Sequence, residues 1–393
     1  MSYADDEVFP VPDWDSCEWD RVLLHRNDIA RAGGPGDWVF YRPGRLLVDA
    51  RAVDDDRVGG LLRDNDAEPA EGAHCEVAKE LGLRLFNTRD DKLVPLVFGL
   101  RSVLPCCAGL DHVLVAGPAR WHGDDLPKPI ADPGDVPGSG EAGSGLNVAI
   151  LDTGIAHDIP FPVQSGAGDD EVFDEDHDDR RDPPAGHGTH IAGLIARTAP
   201  GARIVAHRVL KTVAGQASEL EVAQALLGLP ADVDLVNCSF SGPVLGDALP
   251  LVVERALARL SPATVVVGCA GNAGNERVQW PAASTRVIAA GAIGRADASG
   301  PWLRTDFSSY GPWVDCCAPG VSVPSSFLKA GGFSGWASWS GTSFSAPQVV
   351  AAIAAVASRD GTGAAAAANK LVRDPARPRV AQLGAIVDPA DLP

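Results

Sequence analysis

The chain is too poor in basic residues to bind nucleic acid. Lys and Arg number 33 against 52 Asp and Glu, a formal net charge of -19. A surface of that sign repels phosphate backbones and anionic membrane surfaces alike. No apolar run reaches the ~20 residues of a membrane-spanning helix; residues 348–358, apolar and Ala-rich, fall well short. The first residues, Met-Ser-Tyr-Ala-Asp-Asp-Glu-Val, lack the basic start, apolar stretch and small-residue cleavage site of an exported chain. A cytoplasmic location is therefore expected. The eight cysteines (Cys17, Cys75, Cys106, Cys107, Cys238, Cys269, Cys316 and Cys317) match no zinc spacing, and two pairs are adjacent in sequence, a poor geometry for disulfides. Reduced thiols, several of them filling core positions, are expected. No internal repeat is present.

What the chain does have is 45% hydrophobic residues, 43 Gly and 31 Pro over 393 residues. That composition suits a loop-rich α/β protein with one large domain and a smaller one. Residues 1–37 read as an acidic tail. Residues 38–123 read as a small α+β unit, with strands at 38–41, 45–49, 84–86, 93–98 and 112–116 and helices at 54–63 and 75–83. Residues 124–145 alternate Pro and Gly and read as a linker that does not pack. From Leu146 onward apolar β-rich segments (146–151, 203–208, 234–240, 264–269, 287–292) alternate with helical ones (187–196, 219–228, 248–260, 345–358). Such alternation predicts a mostly parallel sheet covered on both faces.

Three segments carry chemistry. In residues 340–347, Ser-Gly-Thr-Ser-Phe-Ser-Ala-Pro, Ser343 opens an apolar helix. Free backbone N–H groups and the positive end of the helix dipole collect there, suited to an oxyanion formed when a hydroxyl attacks a carbonyl. By itself Ser343 would more readily be read as a plain helix cap. Asp152 ends the apolar segment 146–151, at the sheet edge where α/β sites gather. His187 follows in Gly-His-Gly-Thr-His, where glycines lead into another helix of small residues. The order Asp, His, Ser is one of the three known orders of a serine triad.

With these blocks the chain resembles the subtilisin-like serine proteases, the subtilases, over roughly residues 145–390. Val-Val-Gly-Cys-Ala-Gly-Asn (266–272) resembles the family's oxyanion-asparagine segment, and Leu-Val-Asn-Cys-Ser-Phe-Ser-Gly (235–242) its substrate-binding strand. Several ordered blocks are a far more specific signal than one short motif. The resemblance implies a subtilisin-like three-layer α/β fold with a mostly parallel central sheet over residues 146–393, preceded by a prodomain-like α+β unit. It implies Ser343 as nucleophile, His187 as base, Asp152 as its orienting carboxylate and Asn272 as oxyanion donor, with His190 structural. Substrate is expected as an added strand along Ser239, Phe240, Ser241 and Gly242, facing Cys269, Ala270 and Gly271, with Gln279 at the floor of a polar or shallow pocket.

Further expectations follow from the resemblance. The strand ends carrying Cys238 and Cys269 neighbour each other, so a bridge between them is a lesser alternative. The loop after the histidine helix is too short for the family's calcium site, and no cofactor or metal is expected there. The acidic run at 169–179 reads as a solvated face or a subsite for basic peptides. Residues 117–123 are expected in the substrate cleft as a product-like inhibitor, with self-cleavage within 117–145. The partners expected are a peptide or protein substrate and the chain's own N-terminal unit, with activity rising with pH as the imidazole loses its proton. Two other classes compete. A silent peptide-binding module would have no need of all four polar residues, and a sedolisin-type acid peptidase uses a Glu-Asp-Ser set without the histidine block.

Overall fold

A computed structural model describes residues 8–9, 26–34, 38–116, 126–134, 140–175, 177, 181–211, 214–297 and 299–392. Its centre is a parallel sheet in the order Gly384–Ile386, Cys316–Pro319, Val287–Gly294, Val265–Cys269, Leu235–Cys238, Asn147–Asp152, Arg203–Arg208 and Gln164–Ser165. These strands are runs of Val, Ile, Ala and Cys buried on both sides, the pattern that helices on both faces demand. On one face lie the helices His187–Thr198 and Thr342–Asp360; on the other, Glu219–Leu227 and Leu251–Leu257. Because the strands run parallel, Asp152, Ser239 and Ala270 all emerge at one edge.

The N-terminal unit is a second, antiparallel sheet. Strand Val39–Asp49 lies between Leu83–Asn87 and Ala108–Val115, with helices Asp56–Asp64 and Asp90–Val103 packed over it. The segments expected as two strands, 38–41 and 45–49, are one bulged strand. The expectation of a strand at 93–98 is wrong: the segment is helical despite Pro95, and its buried residues Leu93, Leu96, Val97 and Leu100 follow a helical spacing while Phe98 is exposed.

The sheet does not end within the unit. Its last strand, Ala108–Val115, pairs on its outer side with Gln216–Ser218 from the C-terminal part. That strand is buried at all eight positions, Asp111 and His112 included. Asp111 accepts from Arg45 Nη1 at 2.9 Å and from the Leu220 amide at 3.2 Å. His112 bonds through Nδ1 to Glu219, and its Nε2 accepts the Leu245 amide at 3.1 Å.

The described parts of residues 124–145 are packed rather than loose. Lys128–Pro129 adds a strand to Trp336–Trp339, and the Ala142 carbonyl accepts from the Gly201 amide at 2.8 Å. A Pro/Gly composition discourages a core of its own but does not prevent pairing with an edge that another segment offers.

Candidate active site

Asp152 is the last residue of its strand, and its Oδ1 accepts from the Thr153 amide at 2.8 Å and from His187 Nδ1 at 2.7 Å. Both side chains are fully buried. The histidine helix approaches closely because Gly188 has no side chain: a Cβ there would sit 2.2 Å from the Gly154 carbonyl oxygen. Trp339, edge-on at 5.4 Å, and Phe344 at 5.2 Å wall the His187 ring from water. With Nδ1–H committed to Asp152, Nε2 carries the lone pair, and it has no hydrogen-bond partner.

Ser343 stands in the first turn of helix Thr342–Asp360. Its hydroxyl donates to the Ser239 carbonyl at 3.1 Å and lies 4.0 Å from Cys269 Sγ. Ser239 Oγ returns a bond to the Ser343 carbonyl at 2.8 Å. Asn272 is fixed by its oxygen alone, which accepts from the Thr342 amide at 2.8 Å and the Thr342 hydroxyl at 2.7 Å. Its Nδ2 lies beside Gly341 at the start of that helix, 3.2 Å from where a Cβ on Gly341 would sit.

The residues expected to bind substrate divide in two. Ser239 and Cys269 touch Ser343, Ser241 and Gln279 meet at Gly271, and Gly242 pairs with Trp280. The side chains of Phe240 and Ala270 instead enter neighbouring parts of the core, Phe240 with Val236 and Cys238 and Ala270 with Ala289 and Cys317. Residues along a strand alternate faces, so every second side chain is lost to the groove.

Sequence reasoning missed the groove's second side, Gln216–Ser218, and what lies in it. Val113, Leu114 and Val115 pair antiparallel with Ser218, Ala217 and Gln216. Val115 also exchanges two backbone bonds with Ser241, both at 3.0 Å, and the Ala116 amide donates to Gly215 at 3.0 Å. The end of the N-terminal unit's own strand is therefore the middle strand of the groove. Residues 117–123, expected in that place, lie outside the described residues. The capping box Ser218–Glu221 was the available signal for where Gln216–Ser218 stops.

Glu171 departs from the expected solvated acidic face. Its Oε2 accepts from the Thr189 hydroxyl at 3.1 Å in the first turn of the histidine helix, and burial pushes its carboxyl up. His190 is structural as expected: Nε2 donates to the Val323 carbonyl at 3.1 Å, and burial holds its pKa down at about 3. Seven described cysteines are free thiols, Cys238 and Cys269 among them. Among the described residues no cluster of three or more His, Cys, Asp or Glu is placed to hold a metal ion, and no helix is long and apolar enough to cross a membrane.

A parallel α/β sheet whose edge gathers Asp, His and Ser in this chain order defines the subtilisin-like class of fold. The Peptidase_S8 profile, described as "Subtilase family", matches residues 143–383. The chain belongs to the subtilase family. It is 34% identical over 227 residues to a thermostable alkaline protease of Halalkalibacterium halodurans, covering 55% of this chain and 58% of that one. It is 33% identical over 250 residues to subtilisin E of Bacillus subtilis, covering 60% of each. The chain thus spans about three-fifths of the length of these relatives. Among solved structures, fervidolysin from Fervidobacterium pennivorans, a keratinolytic enzyme related to subtilisin, superposes with a TM-score of 0.58 and 18% identity over 90% of this chain and 62% of that chain. That likeness is one of fold.

Proposed function

We propose that the chain is a serine endopeptidase, held in check by its N-terminal unit. The observation that carries the reading is the buried Asp152–His187 couple, which leaves a bare Nε2 on a ring 5.2 Å from that of Phe344, the residue after Ser343. In the reaction the Ser343 hydroxyl turns from the Ser239 carbonyl to Nε2. Nε2 takes its proton as Oγ attacks the substrate carbonyl, and Asp152 stabilises the imidazolium. The negative charge that develops on the carbonyl oxygen is met by Asn272 Nδ2 and the Ser343 amide, a free donor of the helix's first turn. One such donor lowers the barrier by about 3–4 kcal/mol. The imidazolium then protonates the leaving amine, and water enters by the reverse sequence to free the acid.

A peptide substrate would bind as a strand between Gln216–Ser218 and Ser241, using the backbone groups that now serve Val113–Ala116. That occupancy supports an inhibitory role for the unit at residues 38–123, with self-cleavage within 117–145 as its release. The free thiols are consistent with a reducing compartment, the cytoplasm in the simplest case. A fluorophosphonate probe tests the catalytic assignment: wild type should label and Ser343→Ala should not. Labelling of the variant would sink it. Intact mass of wild type beside Ser343→Ala tests self-processing, and a chain that cleaves an added peptide while staying whole would refute release by cleavage.

A further inference from the structure

Three segments close on one point behind the Asp152–His187 couple: the turn that follows Asp152, residues 169–171, and the start of helix His187–Thr198. Gly154 lies between the other two. A Cβ there would sit 2.7 Å from the Asp169 carbonyl oxygen, and on its other side Gly188 makes the close approach described above. The Ile155 amide donates to the Asp169 carbonyl and the Ile155 carbonyl accepts from the Glu171 amide, both at 3.0 Å. The helix is tied to the turn by the Gly188 amide on Thr153 Oγ1 at 2.9 Å and by the Ala156 amide on Thr189 Oγ1 at 3.0 Å. Glu171 closes the third side. Its Oε2 accepts from the Thr189 hydroxyl at 3.1 Å and the Thr189 amide at 3.4 Å, and the Thr153 side chain and Gly186 backbone also face the carboxyl. Its neighbours in the acidic run meet other donors. Asp169 takes the Gly166 and Arg208 amides, Asp170 lies 3.1 Å from His157, and Glu175 lies 2.8 Å from Arg208. Of these four carboxyl groups, Glu171 is the one bonded to the histidine helix.

We infer that Glu171 is a positioning residue for the triad: it clamps the first turn of the histidine helix to the turn that carries Asp152, and so fixes where His187 Nε2 stands. The inference rests on the protease reading above and extends it to a residue outside the triad. Glu171 Oε1 is sealed from solvent. The space beside the carboxyl, bounded by Thr153, Glu175, Asp182 and Arg208, is about 10 Å³, room for one water at most. The charges around it do not favour another anion. Asp152 faces it, and Glu175 and Asp182 line the same space. The cations nearby are engaged, Arg208 by Glu175 and Arg181 by the carbonyls of Asp182, Pro183 and Ala185. Burial above all, with the charge of Asp152 added, pushes the Glu171 carboxyl up toward the neutral acid. A neutral Glu171 ties the helix down by hydrogen bonds without adding charge to the couple. Asp152 is then left as the carboxylate that sets the basicity of His187.

The test compares the full chain with Glu171→Ala, Glu171→Gln and Glu171→Asp on a chromogenic peptide, with fluorophosphonate labelling of Ser343 alongside. Glu171→Ala should lower kcat by about 10²-fold with KM nearly constant, the scale set by a displacement of about 1 Å in a reacting group. Glu171→Gln keeps the shape and the acceptor oxygen of a neutral acid. It should hold kcat within about threefold of wild type and leave the acid limb of kcat/KM, set by His187, where wild type has it. Glu171→Asp draws the carboxyl back by one methylene and should fall between the two. It reports on the same clamp if melting temperatures show that the alanine variant does not fold. If wild type labels while Glu171→Asp and a folded Glu171→Ala turn over as fast as wild type, the inference falls and the protease reading stands. If Glu171→Gln is as slow as Glu171→Ala, or its acid limb moves to lower pH, Glu171 acts through charge and the inference again falls. If wild type does not label at Ser343, both fall.

Discussion

The two sheets of this molecule bury their strands for different reasons. In the parallel sheet every central strand is covered by helices on both faces, and burial follows from the architecture. In the antiparallel sheet burial is uneven. Glu68–Pro69 is exposed at both positions and Leu83–Asn87 exposes its second and last residues, whereas Ala108–Val115 exposes none. A strand buried throughout, in a unit of so few layers, is one that another unit covers. Its polar residues make the same point, because Asp111 and His112 find partners across the contact in Leu220, Glu219 and Leu245. One sheet carries Asp152 and Ser239 at its edge, and the other lends a strand whose Val115 pairs with Ser241 there.

That division of labour can be broken from either side. The largest effect should come from the parallel sheet's edge: Ser343→Ala should lower kcat by about 10⁶-fold, the cost of losing a triad nucleophile, with melting temperature and circular dichroism unchanged. Next is Asn272→Ala, expected to lower kcat by about 10²–10³-fold with KM nearly constant, since its Nδ2 acts on charge that appears only in the transition state. A loss confined to KM would make Asn272 a ground-state binder instead.

The antiparallel side is tested by Val115→Pro. Proline has no N–H to give the Ser241 carbonyl and does not sit within a central strand. Losing that bond and the local fit should raise peptide turnover by about tenfold or more. Turnover equal to that of wild type would mean that the strand does not obstruct the groove.

The smallest effect is on stability. His190 is held neutral in the fold, its pKa depressed from the usual 6.5 to about 3 by burial. The unfolded chain takes up a proton below pH 6.5 that the folded one refuses. Stability is therefore full above that pH and declines by roughly 1.4 kcal/mol per unit as pH falls toward about 3. Thermal unfolding from pH 7 to 4 should show that slope in wild type and a shallower one in His190→Gln. Identical slopes would assign acid sensitivity to other groups.

Much of the catalytic half was legible because its signals are local. A carboxylate ending an apolar strand, a histidine among glycines and a serine opening a helix each declare their position without knowledge of the rest. The segment at 93–98 was misread because six apolar residues around Pro95 suit a strand as well as a helix. Only the wider spacing through Leu100 separates the two. Gln216–Ser218 was missed since three residues carry no period. Its role as a groove wall exists only once Val113–Val115 lies beside it. The turn of the Ser343 hydroxyl toward Ser239 is a rotamer, and no residue pattern specifies that.

The strand in the groove belongs to the same chain as the residues it covers, and if it restrains them as proposed, this fixes how the restraint responds to surroundings. A tethered competitor has a local concentration set by geometry, of millimolar order for a short connection, and dilution cannot lower it. While the chain is whole, the fraction of open molecules is the same in a dilute solution as in a crowded one. An outside peptide succeeds only by exceeding that standing concentration or by binding more tightly than Val113–Ala116. Once the connection is cut the competitor becomes an ordinary solute. Opening then depends on how many molecules share the volume, so a single broken bond would change a property of each molecule into one of the population.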